Sequence, residues 1–255
     1  MKNILIFLLL GSLSALQAKP NIILIVADDL GYADTGFNGS KTAITPNLDR
    51  LAKSGVRLTD FRACPMCSPT RAGLLTGRWP LRFGMMRAVI PPWSTYGLPT
   101  KEDTLPELLA EAGYERRGII GKWHLGHSKK TQLPLAHGFT HFTGHYNGAI
   151  DYFTHEREGQ LDWHQNDDTL REKGYATDLL AKHAVQFIKD SPFDSPYFLY
   201  LPFNAPHSPL QATQEDLALH TGLKNKKRHT FAAMVTAMDR GIGKVLDTVE
   251  SRPDS

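Results

Sequence analysis

Only two cysteines, Cys64 and Cys67, occur in 255 residues. Neither a disulfide framework nor a four-thiolate metal centre can be built from them. They stand three apart in "RACPMCSPTRAGLLTGR" (62–78), and a disulfide closing so short a loop would stabilise little. A C-x-x-C redox pair is one reading, but it implies a compact thioredoxin-like domain, which this chain exceeds in length. No apolar run reaches the ~20 residues of a membrane-spanning helix. The longest, from Ile4 to about Leu16, follows Lys2 and precedes Gln17-Ala18, the layout of a signal peptide spanning residues 1–18. Cleavage after Ala18 would leave an exported protein, periplasmic or secreted, with no membrane attachment. Charge of one sign is not in excess either: 29 basic and 26 acidic side chains leave a formal +3. No basic run is longer than "KNKKR" (224–228), which reads as a solvated loop, so a nucleic-acid partner is not expected. Internal repeats and low-complexity tracts are absent.

What is present is an ordinary globular composition, 41% hydrophobic and 22% charged, long enough to bury a substantial core. "NIILIVADD" is an unbroken apolar run ending at Asp28 and Asp29, the pattern of a strand buried on both faces of a parallel sheet. "TPNLDRLAKSG" then reads as a helix with Thr45 as N-cap, Pro46 in the first turn and Gly55 at its end. Helix and strand alternate from there. "TLPELLAEAG" (104–113) is a capped helix, and "ERRGIIGKWH" carries a strand to Lys122 and His124. "YATDLLAKHAVQFIKD" (175–190) is an amphipathic helix, and "PYFLYLPFNAPH" (196–207) a buried strand running to Asn204 and His207. The stripe Phe231, Met234, Val235, Met238, Ile242, Val245, Leu246 and Val249 marks a last long helix over 231–250. This alternation predicts an α/β sandwich around a central, mostly parallel sheet. Periodicity fades between 128 and 170, which reads as surface loops near a substrate.

Ligands of open α/β sheets bind at the carboxyl ends of the strands. Three such ends carry Asp28-Asp29, Lys122-x-His124 and Asn204-x-x-His207. Singly, each has a plain structural explanation, a turn, a cap or a solvated side chain. Together they would make one polar site, and carboxylate oxygens suit Ca²⁺ or Mg²⁺ better than a soft metal. Ser68 is a good N-cap and Pro69 a first-turn residue, so "SPTRAGLLTG" reads as a helix ending near Gly77. Cys67 then sits at a helix N-terminus, where the dipole and free N–H groups favour an anion and an ionised sulfur. Arg71, one turn on, adds a fixed positive charge suited to oxyanions. A zinc site would need further soft ligands, and no more cysteines exist.

Residues 67–78, "CSPTRAGLLTGR", closely resemble the signature of the type I sulfatases, in which the cysteine is oxidised to formylglycine. "PNIILIVADDLGYAD", "GYERRGIIGKWHLG", "PYFLYLPFNAPHSPLQ" and "FAAMVTAMDRGIGKVL" are similar to further family segments in the same order, with a flavour of the arylsulfatase B-like branch. The resemblance implies an alkaline-phosphatase-like sandwich and a sulfuric ester hydrolase acting on sulfated small molecules or carbohydrates. It implies a divalent cation, Ca²⁺ first and Mg²⁺ second, held by Asp28, Asp29 and the modified Cys67. It also implies a formylglycine-generating maturation enzyme as a partner. Cys67 would carry the nucleophile and Arg71 would hold it. His124 would act as its base, Lys122 would contact the sulfate, and His207 would serve the leaving oxygen. Cys64 looks like a neighbour without a role. Other readings are a phosphate or phosphonate monoester hydrolase on the same scaffold, a non-catalytic relic binding anionic sugars, and a thiol oxidoreductase. The family's later strand ending in Asp-Asn, a further Lys and a C-terminal subdomain have no counterpart up to Ser255. Residues 19–255 therefore read as the N-terminal part of a catalytic domain, incomplete on its C-terminal side. Alone, such a chain is expected to show an exposed sheet edge and little activity.

Overall fold

Every apolar run read as a strand forms one in the computed structural model, which describes residues 19–254. The expected signal peptide lies outside the described residues. Along the chain the strands are β1 (Ile22–Asp28), β2 (Arg116–Lys122), β3 (His141–His145), β4 (Glu156–Arg157), β5 (Gln160–Leu161), β6 (His164–Gln165), β7 (Asp168–Thr169) and β8 (Tyr197–Pro206). The α-helices are α1 (Pro46–Ser54), α2 (Cys67–Thr76), α3 (Leu105–Glu111), α4 (Ala176–Lys189), α5 (Gln214–Ala218) and α6 (Lys226–Glu250). The main sheet has the order β1-β8-β2-β3-β6-β7. β1, β8, β2 and β3 are parallel to one another, and β6 and β7 add an antiparallel flank. The mostly parallel α/β sandwich is thus present.

All ten residues of β8 are buried, because both faces of this strand are covered by helices. Leu199, Leu201, Phe203 and Ala205 join Leu180, Ala184, Met234, Met238 and Ile242 of α4 and α6 in one core. Phe198 and Tyr200 point the other way, toward Ala72 and Leu75 of α2 and toward Ile119, Trp123 and Phe139. The period-2 alternation of a strand makes this division possible. β1 is the outer strand and mostly half-buried. Leu51, Val56, Leu58 and Phe61 line a groove with Ile25 of this strand, and all four are exposed.

Parallel pairing puts the carboxyl ends of β1, β8, β2 and β3 along one rim. Asp28 stands opposite Pro206, and Lys122 opposite His145. Two glycines allow this close approach. A Cβ on Gly121 (φ 137°) would lie 2.0 Å from the Pro202 carbonyl oxygen, and one on Gly144 (φ 149°) would lie 2.1 Å from that of Gly121.

Several local expectations change. Residues 128–170 are not simply loops, since β3 extends the sheet and Tyr152 and Trp163 are fully buried within this stretch. Thr45 does not cap α1 with its side chain. Its hydroxyl accepts from Gly36 N–H (2.8 Å) and donates to Asp49 Oδ1 (3.1 Å). The free N–H groups of Asn47 and Leu48 go instead to the Asp239 carboxylate of α6, at 3.2 and 2.8 Å. The helix α6 begins at Lys226, so part of "KNKKR" is helical, capped by Asn225, whose side chain accepts from Arg228 N–H at 2.9 Å.

Candidate active site

α2 starts one residue before the predicted N-cap. Met66 holds the cap position and Cys67 is the first helical residue. Ser68 is buried, and its hydroxyl accepts from Ile90 N–H (3.1 Å), tying the helix start to the 85–98 loop. Cys64 and Cys67 are both free thiols, and the carbonyl of Cys64 accepts from the Thr70 hydroxyl at 2.9 Å. Cys67 Sγ lies 3.1 Å from His124 Nδ1.

The histidine's tautomer follows from its other partner. His124 Nε2 is 2.9 Å from the Ile90 carbonyl oxygen, which can only accept, so Nε2 carries the proton and Nδ1 presents its lone pair to Cys67. Burial, reinforced by Lys122 and Arg71, lowers the His124 pKa to about 2 and keeps the ring neutral. His124 has φ 57° and Asp29 has φ 61°, left-handed conformations that non-glycine residues adopt under constraint and that concentrate at functional sites. Gly148 makes room for the ring, because a Cβ there would lie 2.3 Å from His124 Cε1.

Beside this pair lies a buried ionic cluster. Arg71 donates through Nη2 to Asp28 Oδ2 (3.1 Å) and through Nη1 to the Lys122 carbonyl (2.7 Å) and to Tyr200 Oη (3.4 Å). Lys122 Nζ donates to the same Asp28 oxygen. Burial alone would raise the Asp28 pKa, but Lys122 and Arg71 outweigh it and hold the carboxyl at about 2. Burial lowers the Lys122 pKa, opposed by Asp28, while Tyr200, Asp28 and Cys67 outweigh burial at Arg71 and raise it. Two cations share one carboxylate, so the cluster keeps a surplus positive charge close to Cys67. Such a surplus, together with a helix N-terminus, suits an oxyanion.

Cys67, His124 and His207 open onto a cavity of about 690 Å³, walled also by Ile90, Trp93 and Ile150. His207 Nδ1 donates to the Ser208 carbonyl (2.6 Å), and Nε2 lies 3.4 Å from Asp29 Oδ2. The structure thus gathers Cys67, His124 and His207 on one cavity, with Asp29 against His207 and with Asp28, Arg71 and Lys122 buried. Asn204 is also buried, and neither its Oδ1 nor its Nδ2 has a partner. Sequence reading missed Ile90, Gly148 and Tyr200, since a backbone acceptor, a space-making glycine and a core tyrosine carry no motif.

A divalent cation would fit in part. Asp28 and Asp29 are adjacent hard-oxygen donors at the end of β1, but two carboxylates fall well short of the ~6–8 oxygens Ca²⁺ takes. No group of three His, Cys, Asp or Glu side chains among the described residues forms a metal site. The Cys67 sulfur is a soft donor and would suit a hard cation only once replaced by oxygen.

A family model for sulfatases matches residues 20–255. The chain belongs to the sulfatase family. It is 34% identical to mouse arylsulfatase J over 236 residues, covering 89% of this chain and 39% of that protein. It is 35% identical to mouse N-acetylgalactosamine-6-sulfatase over 271 residues, covering 96% of this chain and 51% of that protein. Among solved structures, Ps i-CgsB in complex with k-i-k-neocarrahexaose superposes with a TM-score of 0.85 at 41% identity, over 92% of this chain and 56% of that one. The chain therefore spans about half the length of the sulfatases it matches, and its sandwich is the alkaline-phosphatase-like fold of the family.

Proposed function

We propose that this chain forms the N-terminal catalytic part of a sulfuric ester hydrolase acting on sulfated carbohydrates. The observation that carries it is the contact of Cys67 with a neutral His124 at a helix N-terminus, next to a buried cluster with surplus positive charge. The similarity to Ps i-CgsB, a protein seen in complex with k-i-k-neocarrahexaose, supports a carbohydrate as the substrate. The cysteine sulfur stands where formylglycine would present oxygen. In that form Cys67 would supply a geminal diol able to attack sulfur, and a cation held by Asp28 and Asp29, Ca²⁺ or Mg²⁺, would polarise sulfate oxygens.

The remaining chemistry falls to the chain's own groups. His124 Nδ1, with its lone pair aimed at position 67, accepts the proton of the attacking group there, and its Nε2–H stays with Ile90. Arg71 and Lys122 balance the charge of the sulfate oxygens from a dry, fixed position. His207 lines the same cavity, and since its Nδ1–H is given to the Ser208 carbonyl, it serves the leaving oxygen from Nε2 when the ring carries a second proton. Export also belongs to this reading. The apolar leader precedes the family match, which begins at residue 20, and no helix among the described residues is long and apolar enough to cross a membrane.

The test is to express the native polypeptide with a formylglycine-generating enzyme, weigh the tryptic peptide 63–71, and assay an aryl sulfate against the matching phosphate ester. Loss of one of the two thiols of that peptide, at Cys67 and not at Cys64, and hydrolysis of the sulfate, abolished by Cys67→Ala, are expected. An unmodified Cys67, or preference for the phosphate ester, would overturn the proposal.

A further inference from the structure

Between Arg50 and Lys101 the chain carries nine basic residues and a single acid, Asp60, although the whole sequence is nearly balanced at 29 basic to 26 acidic. Arg71 is buried against Asp28, while Arg50, Arg62 and Arg78 pair with Asp247 and Glu250, Asp60 and Glu102. Arg82 and Arg87 are exposed, and no acid among the described residues pairs with either.

Arg82 sits on a turn fixed from inside. α2 ends at Gly77 in a left-handed conformation (φ 62°), and the chain then closes a 3₁₀ turn, Pro80–Phe83. Pro80 and Phe83 are its buried anchors. The N–H groups of Arg82 and Met85 donate to the carbonyls of Trp79 and Pro80 at 2.9 Å. The Arg78 guanidinium lies 5.8 Å from the centre of the Phe83 ring and is bonded to the buried Glu102. Outward, the same turn displays Trp79 (57% exposed), Leu81 (67% exposed) and Arg82. An apolar platform beside unpaired guanidinium groups is a surface made for a ligand with both apolar faces and anionic groups.

The ten residues of α2 place this turn ~15 Å from Cys67. That exceeds the Debye length of about 8 Å at physiological salt. Arg82 therefore exerts little pull on an ester at Cys67, and any anion it holds is a different one. Arg87 lies in the stretch that joins the turn to Val89, a wall residue of the Cys67 cavity. We propose that residues 79–87 form an exosite for a linear anionic polysaccharide, separate from that cavity. Arg82 and Arg87 pair with sulfate or carboxylate groups along the chain, and Trp79 supplies the contact with a sugar ring. The choice of a glycan among polyanions rests on the sulfatase reading; the charge and the platform do not. A four-residue 3₁₀ turn offers no amphipathic helix to lie in a lipid surface.

Binding of dextran sulfate to the native polypeptide, with uncharged dextran of equal length as control, tests this beside hydrolysis of an aryl sulfate. Arg82→Gln combined with Arg87→Gln should weaken dextran sulfate binding about tenfold. It should also flatten the slope of log affinity against log salt by about two, because each arginine removed leaves one more counterion on the polymer. Trp79→Ala should weaken binding with the salt slope unchanged. Both variants should turn over the small aryl sulfate at the wild-type rate. Unchanged dextran sulfate affinity in the double variant would overturn the exosite, and so would equal binding of uncharged dextran or a parallel fall in aryl sulfate turnover. Tighter binding of a single-stranded DNA oligonucleotide, or of phosphatidylglycerol vesicles, would overturn the glycan. Wild type that binds dextran sulfate as described but hydrolyses no aryl sulfate would remove the sulfatase reading and leave the polyanion site standing.

Discussion

His124 meets Cys67 through Nδ1 because Nε2–H is held by the Ile90 carbonyl, so the orientation of one ring is set by a loop more than 30 residues upstream. The ring's neutrality and its aim have separate causes. Burial with two neighbouring cations supplies the first, and the Ile90 hydrogen bond with the gap at Gly148 supplies the second.

Neutral buried histidines make the fold acid-sensitive. His124 is lowered to about 2 and His145 to about 3, both chiefly by burial. Between those values and the ordinary histidine pKa, the unfolded chain binds protons that the folded chain refuses, so stability falls as pH falls. Each group contributes a slope of about 1.4 kcal/mol per pH unit in that window. Asp28, held at about 2, adds to the loss in the same direction below the ordinary carboxylate pKa. Urea unfolding of wild type and His124→Gln from pH 7 to 4 should show the shallower acid slope in the variant. Parallel slopes would contradict the assignment.

Asp28 is the carboxylate that Arg71 and Lys122 share. Asp28→Asn leaves two buried cations facing a neutral amide and should cost about 3–5 kcal/mol in unfolding free energy. Lys122→Met leaves the Arg71–Asp28 pair and should cost less. Denaturant titrations giving the reverse order would show that the cluster is not arranged around the carboxylate.

Gly148→Ala presses on the imidazole rather than on the backbone conformation. Displacing that ring from Cys67 should lower kcat by on the order of 10²-fold. Substrate KM should change far less, since Arg71 and Lys122 are untouched. A kcat within a factor of two of wild type would show that the ring position is not critical.

Asp239 caps α1 from a neighbouring helix. Asp239→Ala frees the N–H groups of Asn47 and Leu48 and should cost about 0.5–2 kcal/mol, read from a denaturant midpoint, with turnover unchanged. An unchanged midpoint would mean that water satisfies these groups equally well.

The sandwich was legible because its central strands are written as continuous β-branched and aromatic runs, which only a doubly covered sheet position accommodates. β3 was not, since "HFTGH" has one apolar residue of note and owes its burial to neighbours on either side. At the site, the residues named from sequence occupy two adjoining layers, a buried cluster and a cavity mouth. Their support was hidden, because a backbone carbonyl such as that of Ile90 or a side-chain void such as that at Gly148 leaves no trace in residue type. Thr45 holds the expected cap position of α1 although its hydroxyl bonds elsewhere, and the cap of α2 falls at Met66 rather than Ser68, for one reason: a hydroxyl near a helix start bonds whatever donor or acceptor the tertiary fold brings closest.

β8 places alternate side chains into the α4–α6 core and into the core beneath α2 and α3. Neither core is closed without it, so neither can melt by itself. The described residues should unfold as one cooperative unit in calorimetry, with calorimetric and van't Hoff enthalpies agreeing. Amides of β8 should be the slowest to exchange with solvent, because releasing them requires global opening.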